Sequence, residues 1–201
     1  MAVTSASRRS GVIAVAVVTA AMWVSEAIDT VLGGALDRFG IVPREISGLD
    51  GIAFAPFLHA GFGHLMANTV PFVVLGVTIA LAGLARLVAV SAIVVVAGGL
   101  GTWLTGAPST VHIGASGVVF GFAAYLIARG VFARLPMEVA VSAVVLVLWG
   151  GAVFNGVLPQ EGISWQGHLF GAVAGVLAAW LLHRRAGRAA RRPGLVGRGR
   201  S

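Results

Sequence analysis

The sequence predicts an all-α integral membrane protein with six transmembrane helices. Hydrophobic residues make up 58% of the 201-residue chain and charged residues only 10%. This composition leaves too few polar side chains to cover a water-soluble domain of this size. A transmembrane helix needs about 20 mostly apolar residues, and six such runs follow one another with short breaks at Gly, Pro or charged residues. The runs cover residues 12–31, 64–82, 87–104, 111–128, 137–154 and 165–182.

The first two runs need separate justification. The first follows Arg8 and Arg9, as the apolar segment of a signal peptide would, but it is longer than such a segment and contains Glu26 and Asp29. We therefore expect it to be the first span. The second run begins within the polar-looking segment HAGFGHLMAN, so its start is defined less sharply than those of the four later runs.

Six spans leave no room for a separate soluble domain in a chain of 201 residues. Residues 1–182 are predicted to form one membrane domain. Residues 183–201 are predicted to form an Arg-rich, disordered cytoplasmic tail that touches anionic lipid. The chain has no cysteine, which excludes disulfides, thiolate metal sites and a cysteine nucleophile.

The placement of arginine predicts which way the spans face. All fourteen basic residues are arginine and the net charge is +7, a balance that in a water-soluble protein would suggest nucleic-acid binding. With six spans, both termini lie on one side of the membrane together with twelve of the fourteen arginines. Only Arg38 and Arg44, in the connection 33–63, lie opposite. The positive-inside rule therefore predicts cytoplasmic termini and an external 33–63 loop, with the lipid bilayer rather than nucleic acid as partner.

Four polar residues lie close to the external ends of three different spans. They are His64 and Asn68 on the second span, Ser116 on the fourth and His168 on the sixth. With the fourth span starting at about residue 111, a rise of 1.5 Å per residue puts Ser116 and His168 at matching depth, roughly 5 to 10 Å below the external boundary. Each residue alone has a structural explanation, because an intramembrane serine or histidine often only bonds to a neighbouring helix. Their shared depth is what indicates a site.

Two rows of glycine lie on the spans that carry Ser116 and His168. Span four has Gly114, Gly117 and Gly121, and span six has Gly167, Gly171 and Gly175. Small residues at this spacing let two helix backbones approach closely. If the rows face each other, Ser116 and His168 come within hydrogen-bond reach. Gly98 lies outside both rows, so leucine is expected to be tolerated better there than at Gly171.

A serine hydroxyl beside an imidazole predicts nucleophilic catalysis. His168 can take the Ser116 proton during attack on a carbonyl, and hydrogen-bond donors are then needed for the oxyanion. The Asn68 amide, the His64 imidazole and the Ser116 backbone N–H are the candidate donors. No carboxylate lies at this depth on the three spans, so the sequence predicts a Ser–His dyad rather than a triad with an acid.

The sequence resembles the rhomboid family of intramembrane serine proteases. Three motifs carry the resemblance, in the family's order and on its second, fourth and sixth helices: HAGFGHLMAN at 59–68, GASGVVFG at 114–121 and GHLFGAVAG at 167–175. The resemblance covers residues 12–182 and implies a rhomboid-like six-helix bundle in the plasma membrane of a bacterial cell. It also implies an endopeptidase, without metal or cofactor, that cleaves single-span membrane proteins near the external face.

The same resemblance implies a role for each residue of the site. Ser116 would be the nucleophile and His168 the general base. His64 and Asn68 would supply the side-chain donors of the oxyanion hole, and the two glycine rows would pack the helices around the site. Phe120 stands where many members of the family have a tyrosine that stacks on the catalytic histidine.

The first outer loop matches the family only in part. His59 corresponds to a family histidine that organises this loop and the region of the oxyanion hole, so we expect a structural role for it. The Trp–Arg pair that the loop commonly contains is absent.

Three alternatives remain open. An inactive rhomboid relative that acts as a membrane chaperone or binding protein would fold alike but fail to react with a fluorophosphonate probe. A histidine-based proton-coupled transporter would place ionisable groups near the middle of the membrane and show an internal repeat, which the sequence lacks by inspection. A haem or metal protein with His64 and His168 as ligands would carry a chromophore or a bound metal.

Overall fold

Six helices in the described part of the chain are long and apolar enough to cross a membrane, which confirms the predicted fold class. The structure is a computed structural model that describes residues 3–160 and 162–190, with no strand among them. The helices are α1 (Ser5–Val31), α2 (Phe62–Ala80), α3 (Leu84–Thr105), α4 (Ser116–Ala133), α5 (Pro136–Gly156) and α6 (Trp165–Ala190). The loop between α1 and α2 contains short helical segments at Asp37–Phe39 and Ile46–Phe57.

Helix α1 begins before the apolar run that predicted it. Thr4 is the N-cap, and its hydroxyl oxygen accepts a hydrogen bond of 3.2 Å from the Ser7 backbone N–H. This cap satisfies one of the backbone donors at the start of the helix. The helix therefore includes Arg8 and Arg9, which apolar periodicity alone leaves outside it.

Helix α4 begins later than predicted, and the expected start at about residue 111 is wrong. The backbones of Ile41 and His112 exchange two hydrogen bonds of 2.9 and 3.0 Å, which hold the segment before α4 extended. Gly114 then adopts a φ of +109°, which a helix cannot contain. Ser116 is consequently the first residue of its helix rather than a residue one turn inside it. The depth of roughly 5 to 10 Å that was expected for Ser116 assumed a helix start at about residue 111, and that start is wrong.

The central element of the fold is α4, and α5 lies at its edge. In α4 61% of the most apolar 18-residue window is buried within the protein, against 6% in α5. Phe122 of α4 stacks on Phe72 of α2 with ring centroids 5.8 Å apart, and Tyr125 is fully buried. Val145 is the only buried residue of α5, and three further residues of this helix pack partly against the core, Val141, Trp149 and Val153. Most of the remaining apolar surface of this helix is therefore available to lipid or to a substrate.

The closest helix contact joins α4 to α6 through four glycines. A Cβ atom added to Gly171 would overlap the carbonyl oxygen of Gly117, and one added to Gly175 would overlap that of Gly121. The backbones therefore cross with no room for a side chain. The predicted rows face each other at these positions, which lie below Ser116 and His168 and hold their helices together.

The first glycine of each predicted row has a side chain as its nearest neighbour, although the carbonyl oxygen of Gly167 also faces Gly117 at the start of the crossing. Gly114 precedes α4, and a Cβ atom there would lie 2.7 Å from Cε1 of the His64 imidazole. At Gly167 an added Cβ atom would lie 2.7 Å from Ser164 Oγ. These two glycines therefore make room for the side chains of His64 and Ser164 at the site.

Gly98, where leucine was expected to be tolerated better than at Gly171, is also close to another helix, but with more clearance. It ends a π-helical turn, Val94–Gly98, inside α3. An added Cβ atom would lie 3.3 Å from the backbone of Gly171, so α3 packs onto α6 at the same level. The sequence did not indicate this contact, because the glycines of α3, at 98, 99 and 101, do not follow the spacing of the rows on α4 and α6.

The first testable prediction concerns the α4–α6 crossing. Gly171→Leu should force the helices apart and lower the free energy of unfolding by about 1–3 kcal/mol or more, measured by thermal unfolding in detergent. Gly151 of α5 is the matched control, since an added Cβ atom there meets nothing within 4 Å. Equal losses in Gly171→Leu and Gly151→Leu would contradict the close crossing.

Helix α6 continues beyond the expected end of the membrane domain. It extends to Ala190, so residues 183–190 of the expected tail are helical. Residues 191–201, where the rest of the tail was predicted, lie outside the described residues.

Candidate active site

Ser116 and His168 are brought together at the N-terminal ends of α4 and α6. Ser116 Oγ lies 2.8 Å from His168 Nε2, and His168 Nδ1 lies 2.9 Å from the carbonyl oxygen of Gly156. A carbonyl only accepts hydrogen bonds, so Nδ1 carries the proton of the neutral ring and Nε2 is free to accept. The Ser116 hydroxyl therefore donates to His168, which is the direction that proton removal from serine requires.

The ring of His168 is held on three sides. Phe120 stacks on it with ring centroids 4.1 Å apart and an interplanar angle of 12°. A Cβ atom added to Gly156 would lie 3.1 Å from His168 Nδ1, so only glycine lets this carbonyl approach the ring so closely. Phe120, the Gly156 carbonyl and Ser116 together leave His168 one orientation.

The start of α4 presents backbone donors beside the Ser116 hydroxyl. Ala115 is the N-cap, and its carbonyl accepts the first helical hydrogen bond from Val119, at 3.0 Å. The N–H groups of the first turn, beginning with that of Ser116, therefore have no acceptor within the helix. They also lie at the positive end of the helix dipole, where developing negative charge is stabilised.

His64 and Asn68 of α2 face the same cavity. His64 Nδ1 accepts a hydrogen bond of 3.4 Å from the Ala60 N–H, so the proton of its neutral ring is on Nε2, which lies against Gly114. Asn68 is 5% exposed, and its amide donates to the His64 carbonyl at 2.9 Å. One further amide hydrogen of Asn68 and the Nε2–H of His64 remain as donors for a ligand in the cavity.

His59 supports the peptide that precedes Ser116. Its Nε2 accepts a hydrogen bond of 3.3 Å from the Ala115 N–H, and its ring stands edge-on to His64 with centroids 5.1 Å apart. Burial, and secondly the neighbouring His64, lower the pKa of His59 to about 4. Because this imidazole is neutral at pH 7, it can accept the Ala115 hydrogen bond.

The second prediction is a pH dependence that arises from His59. In the unfolded chain its imidazole takes a proton near pH 6.5, whereas in the folded protein it does so only near pH 4. The unfolded state therefore binds more protons between these values, and the free energy of unfolding falls as the pH drops from 6.5 to 4, by at most about 1.4 kcal/mol per pH unit for one group.

Chemical unfolding at pH 7 and pH 5 measures this dependence. His59→Gln removes the titrating ring and should reduce the difference between the two pH values. Part of the difference should remain, because burial also lowers the pKa of His112. An unchanged difference in the variant would contradict the contribution assigned to His59.

One cavity connects these groups and opens between α2 and α5. Its volume is about 1080 Å³. Its wall includes His64, Asn68, Ser116 and His168, with Phe120 of α4 and Trp149 of α5. A cavity of this size admits an extended peptide segment and water to the Ser116 hydroxyl.

Sequence reasoning missed three contacts of the site. The Gly156 carbonyl beside His168 and the His59 contact to Ala115 involve backbone groups, which leave no signature in a sequence. The third is a hydrogen bond of 2.6 Å between His112 and Ser164. The sequence does contain an indication of this contact, because residues 112 and 164 are separated by the same number of residues as 116 and 168.

Comparisons with known proteins identify the family. Residues 48–185 match the family model of the Rhomboid domain. An uncharacterized protein of Mycobacterium tuberculosis is 48% identical over 185 residues, which cover 87% of this chain and 77% of that protein. A Bacillus subtilis protein described as a candidate rhomboid protease, YdcA, is 30% identical over 125 residues, 62% of each chain. With its six apolar helices and bacterial relatives, this chain is a multi-pass bacterial membrane protein and belongs to the rhomboid family.

Proposed function

We propose that this protein is an intramembrane serine endopeptidase that cleaves transmembrane segments of single-span membrane proteins. The observation that carries the proposal is the directed hydrogen bond of 2.8 Å from Ser116 to His168 within a cavity between membrane-spanning helices. The Rhomboid domain match and the similarity to the Bacillus protein support the same reaction class.

In the proposed reaction, Ser116 Oγ attacks the scissile carbonyl carbon while its proton passes to His168 Nε2. The resulting imidazolium keeps its Nδ1–H bond to the Gly156 carbonyl, which stabilises the charge without a carboxylate. When the carbon–nitrogen bond breaks, His168 returns the proton to the leaving amine. A water molecule then attacks the acyl-serine ester by the same route and regenerates Ser116.

The oxyanion of each tetrahedral intermediate is stabilised by donors around Ser116. The Ser116 N–H at the start of α4, the Nε2–H of His64 and the free amide hydrogen of Asn68 are the proposed donors. The start of α4 and the hydrogen bonds that His64 and Asn68 make restrain these groups, which supports this role. Donors fixed in this way stabilise the transition state without reorganisation cost.

The arginine distribution supports cleavage near the external face of the membrane. Twelve arginines share one side with both termini, which the positive-inside rule makes cytoplasmic. Ser116 and His168 then lie toward the external ends of α4 and α6. A substrate helix must unwind there before its carbonyls are accessible, because helical hydrogen bonds and side chains otherwise cover them.

The experiment that tests this function uses purified protein in lipid vesicles. A fluorophosphonate probe should label the wild type and not Ser116→Ala, and a single-span substrate should be cut in the external half of its helix. Absence of both labelling and cleavage would support the alternative of an inactive rhomboid relative. Products that map to the cytoplasmic half would instead show that the orientation read from arginine is wrong.

A further inference from the structure

A second serine–histidine pair lies beside the first. Ser164 Oγ and His112 Nδ1 are 2.6 Å apart, and both residues line the cavity that contains Ser116. The two pairs join the same two segments of chain, with serine and histidine exchanged and each residue four positions from its counterpart. His112 is only 9% exposed and Ser164 is half-buried, so the pair lies in the wall of the cavity rather than on the outer surface of the protein.

The hydrogen atoms of this second pair are assigned by its surroundings. The Thr110 hydroxyl donates its one hydrogen to the Ala107 carbonyl at 2.7 Å, so it can only accept from His112 Nε2, 3.1 Å away. Burial lowers the pKa of His112, which keeps the ring neutral at pH 7. Its single proton is thus on Nε2, and Nδ1 accepts from the Ser164 hydroxyl.

The pair connects the two segments that carry the dyad. Ser164 immediately precedes α6, and its carbonyl accepts the His168 backbone N–H at 3.1 Å. His112 lies in the segment before Ser116, which the two backbone hydrogen bonds to Ile41 hold in place. The glycine crossing at Gly171 and Gly175 lies further along α6. In the first turn of α6 the carbonyl oxygen of Gly167 faces Gly117, where an added Cβ atom would lie 3.1 Å from it. The Ser164 hydroxyl adds a side-chain hydrogen bond that fixes the residue just before this turn to the segment that leads into α4.

We propose that the hydrogen bond between Ser164 and His112 positions His168 by holding the first turn of α6 at the distance that keeps its imidazole on Ser116. The inference rests on the proposed function, because it assigns the pair a part in that reaction. Ser164 and His112 are positioning residues, since they act through His168 and not on the substrate. A displacement of about 1 Å in a reacting group costs on the order of 10²-fold in rate, so a smaller shift should still be measurable.

Two substitutions of His112 provide a matched test. The Oδ1 atom of asparagine can occupy the position of histidine Nδ1, whereas the longer side chain of glutamine puts its amide group at the position of Nε2. His112→Asn therefore retains an acceptor for Ser164, and His112→Gln does not. We expect His112→Gln to lower kcat about 10-fold with KM changed less than about twofold, and His112→Asn to retain most of kcat. Equal losses in the two variants would overturn the proposal.

Substitutions of Ser164 test the other side of the same hydrogen bond. Ser164→Ala should lower kcat as His112→Gln does, Ser164→Thr should restore it, and the double variant Ser164→Ala/His112→Gln should be no worse than either single variant. Ser142→Ala is the control, because it removes another hydrogen bond between helices, the one of 2.9 Å that the Ser142 hydroxyl of α5 donates to the Ile127 carbonyl of α4. A loss of kcat in the double variant equal to the product of the two single losses would contradict positioning through this hydrogen bond. A wild-type kcat in Ser164→Ala would contradict it as well.

A spectroscopic measurement separates this inference from the proposed function. In protein labelled with ¹⁵N-histidine, His112 should show the Nε2–H tautomer, and the His168 Nδ1–H proton should give a sharp signal. That signal should broaden in Ser164→Ala and His112→Gln but not in His112→Asn. Should the wild type prove inactive, these signals still test the positioning. An identical His168 signal in all variants would overturn the positioning even if the wild type cleaves.

Discussion

Ser116→Ala should abolish peptide-bond cleavage, with a loss in kcat/KM on the order of 10⁴- to 10⁶-fold, while the protein still inserts and folds. The reason is chemical, because no other hydroxyl donates to His168 Nε2 in the described part of the chain. His168→Ala should cause a loss of the same order. Nucleophile and base act as one unit, so the double variant should be little worse than either single variant.

Matched controls separate this loss from damage to the fold. Ser142→Ala removes a serine hydroxyl from α5, and His183→Ala removes a histidine near the other end of α6, where it stacks on Phe132. Both controls should cleave a single-span substrate at rates close to wild type. Substantial cleavage by Ser116→Ala would show that another group is the nucleophile, and the proposed reaction would have to be abandoned.

Composition and periodicity were sufficient to predict the six helices and the start of α6 at Trp165, but not where α1 and α4 begin. An apolar run of about 20 residues has one stable form in a bilayer, a helix. The start of α1 depends instead on the Thr4 cap, and that of α4 on the backbone pairing of His112 with Ile41. Such contacts join residues distant in sequence or depend on a single side chain, so hydropathy does not report them.

The site was predictable where spacing on two helices carries the information. Gly117 and Gly121 face Gly171 and Gly175, and this crossing brings the ends of α4 and α6 together. Sequence reasoning did not find the acceptor that orients His168, because it is the Gly156 carbonyl at the end of α5. A backbone carbonyl is present at every residue, and only the fold selects the one that serves.

Asn68→Ala should lower kcat about 10²- to 10³-fold, with a much smaller effect on KM. The amide of Asn68 is proposed to donate to the oxyanion, which exists only after Ser116 has attacked. The effect of the substitution on folding should be small, since the hydrogen bond it removes joins Asn68 to the His64 carbonyl within one helix. Steady-state cleavage of a single-span substrate in vesicles gives kcat and KM separately.

Asn155→Ala is the matched control for this prediction, because the Asn155 amide likewise donates to a carbonyl four residues earlier in its helix, that of Gly151, at 3.0 Å. It should reproduce any loss that comes from the local hydrogen bond and leave kcat near the wild-type value. A smaller loss in Asn68→Ala, nearer 10-fold, would mean that the Nε2–H of His64 and the Ser116 N–H carry most of the oxyanion stabilisation. A rise in KM with unchanged kcat would assign Asn68 to substrate binding and remove it from the oxyanion hole.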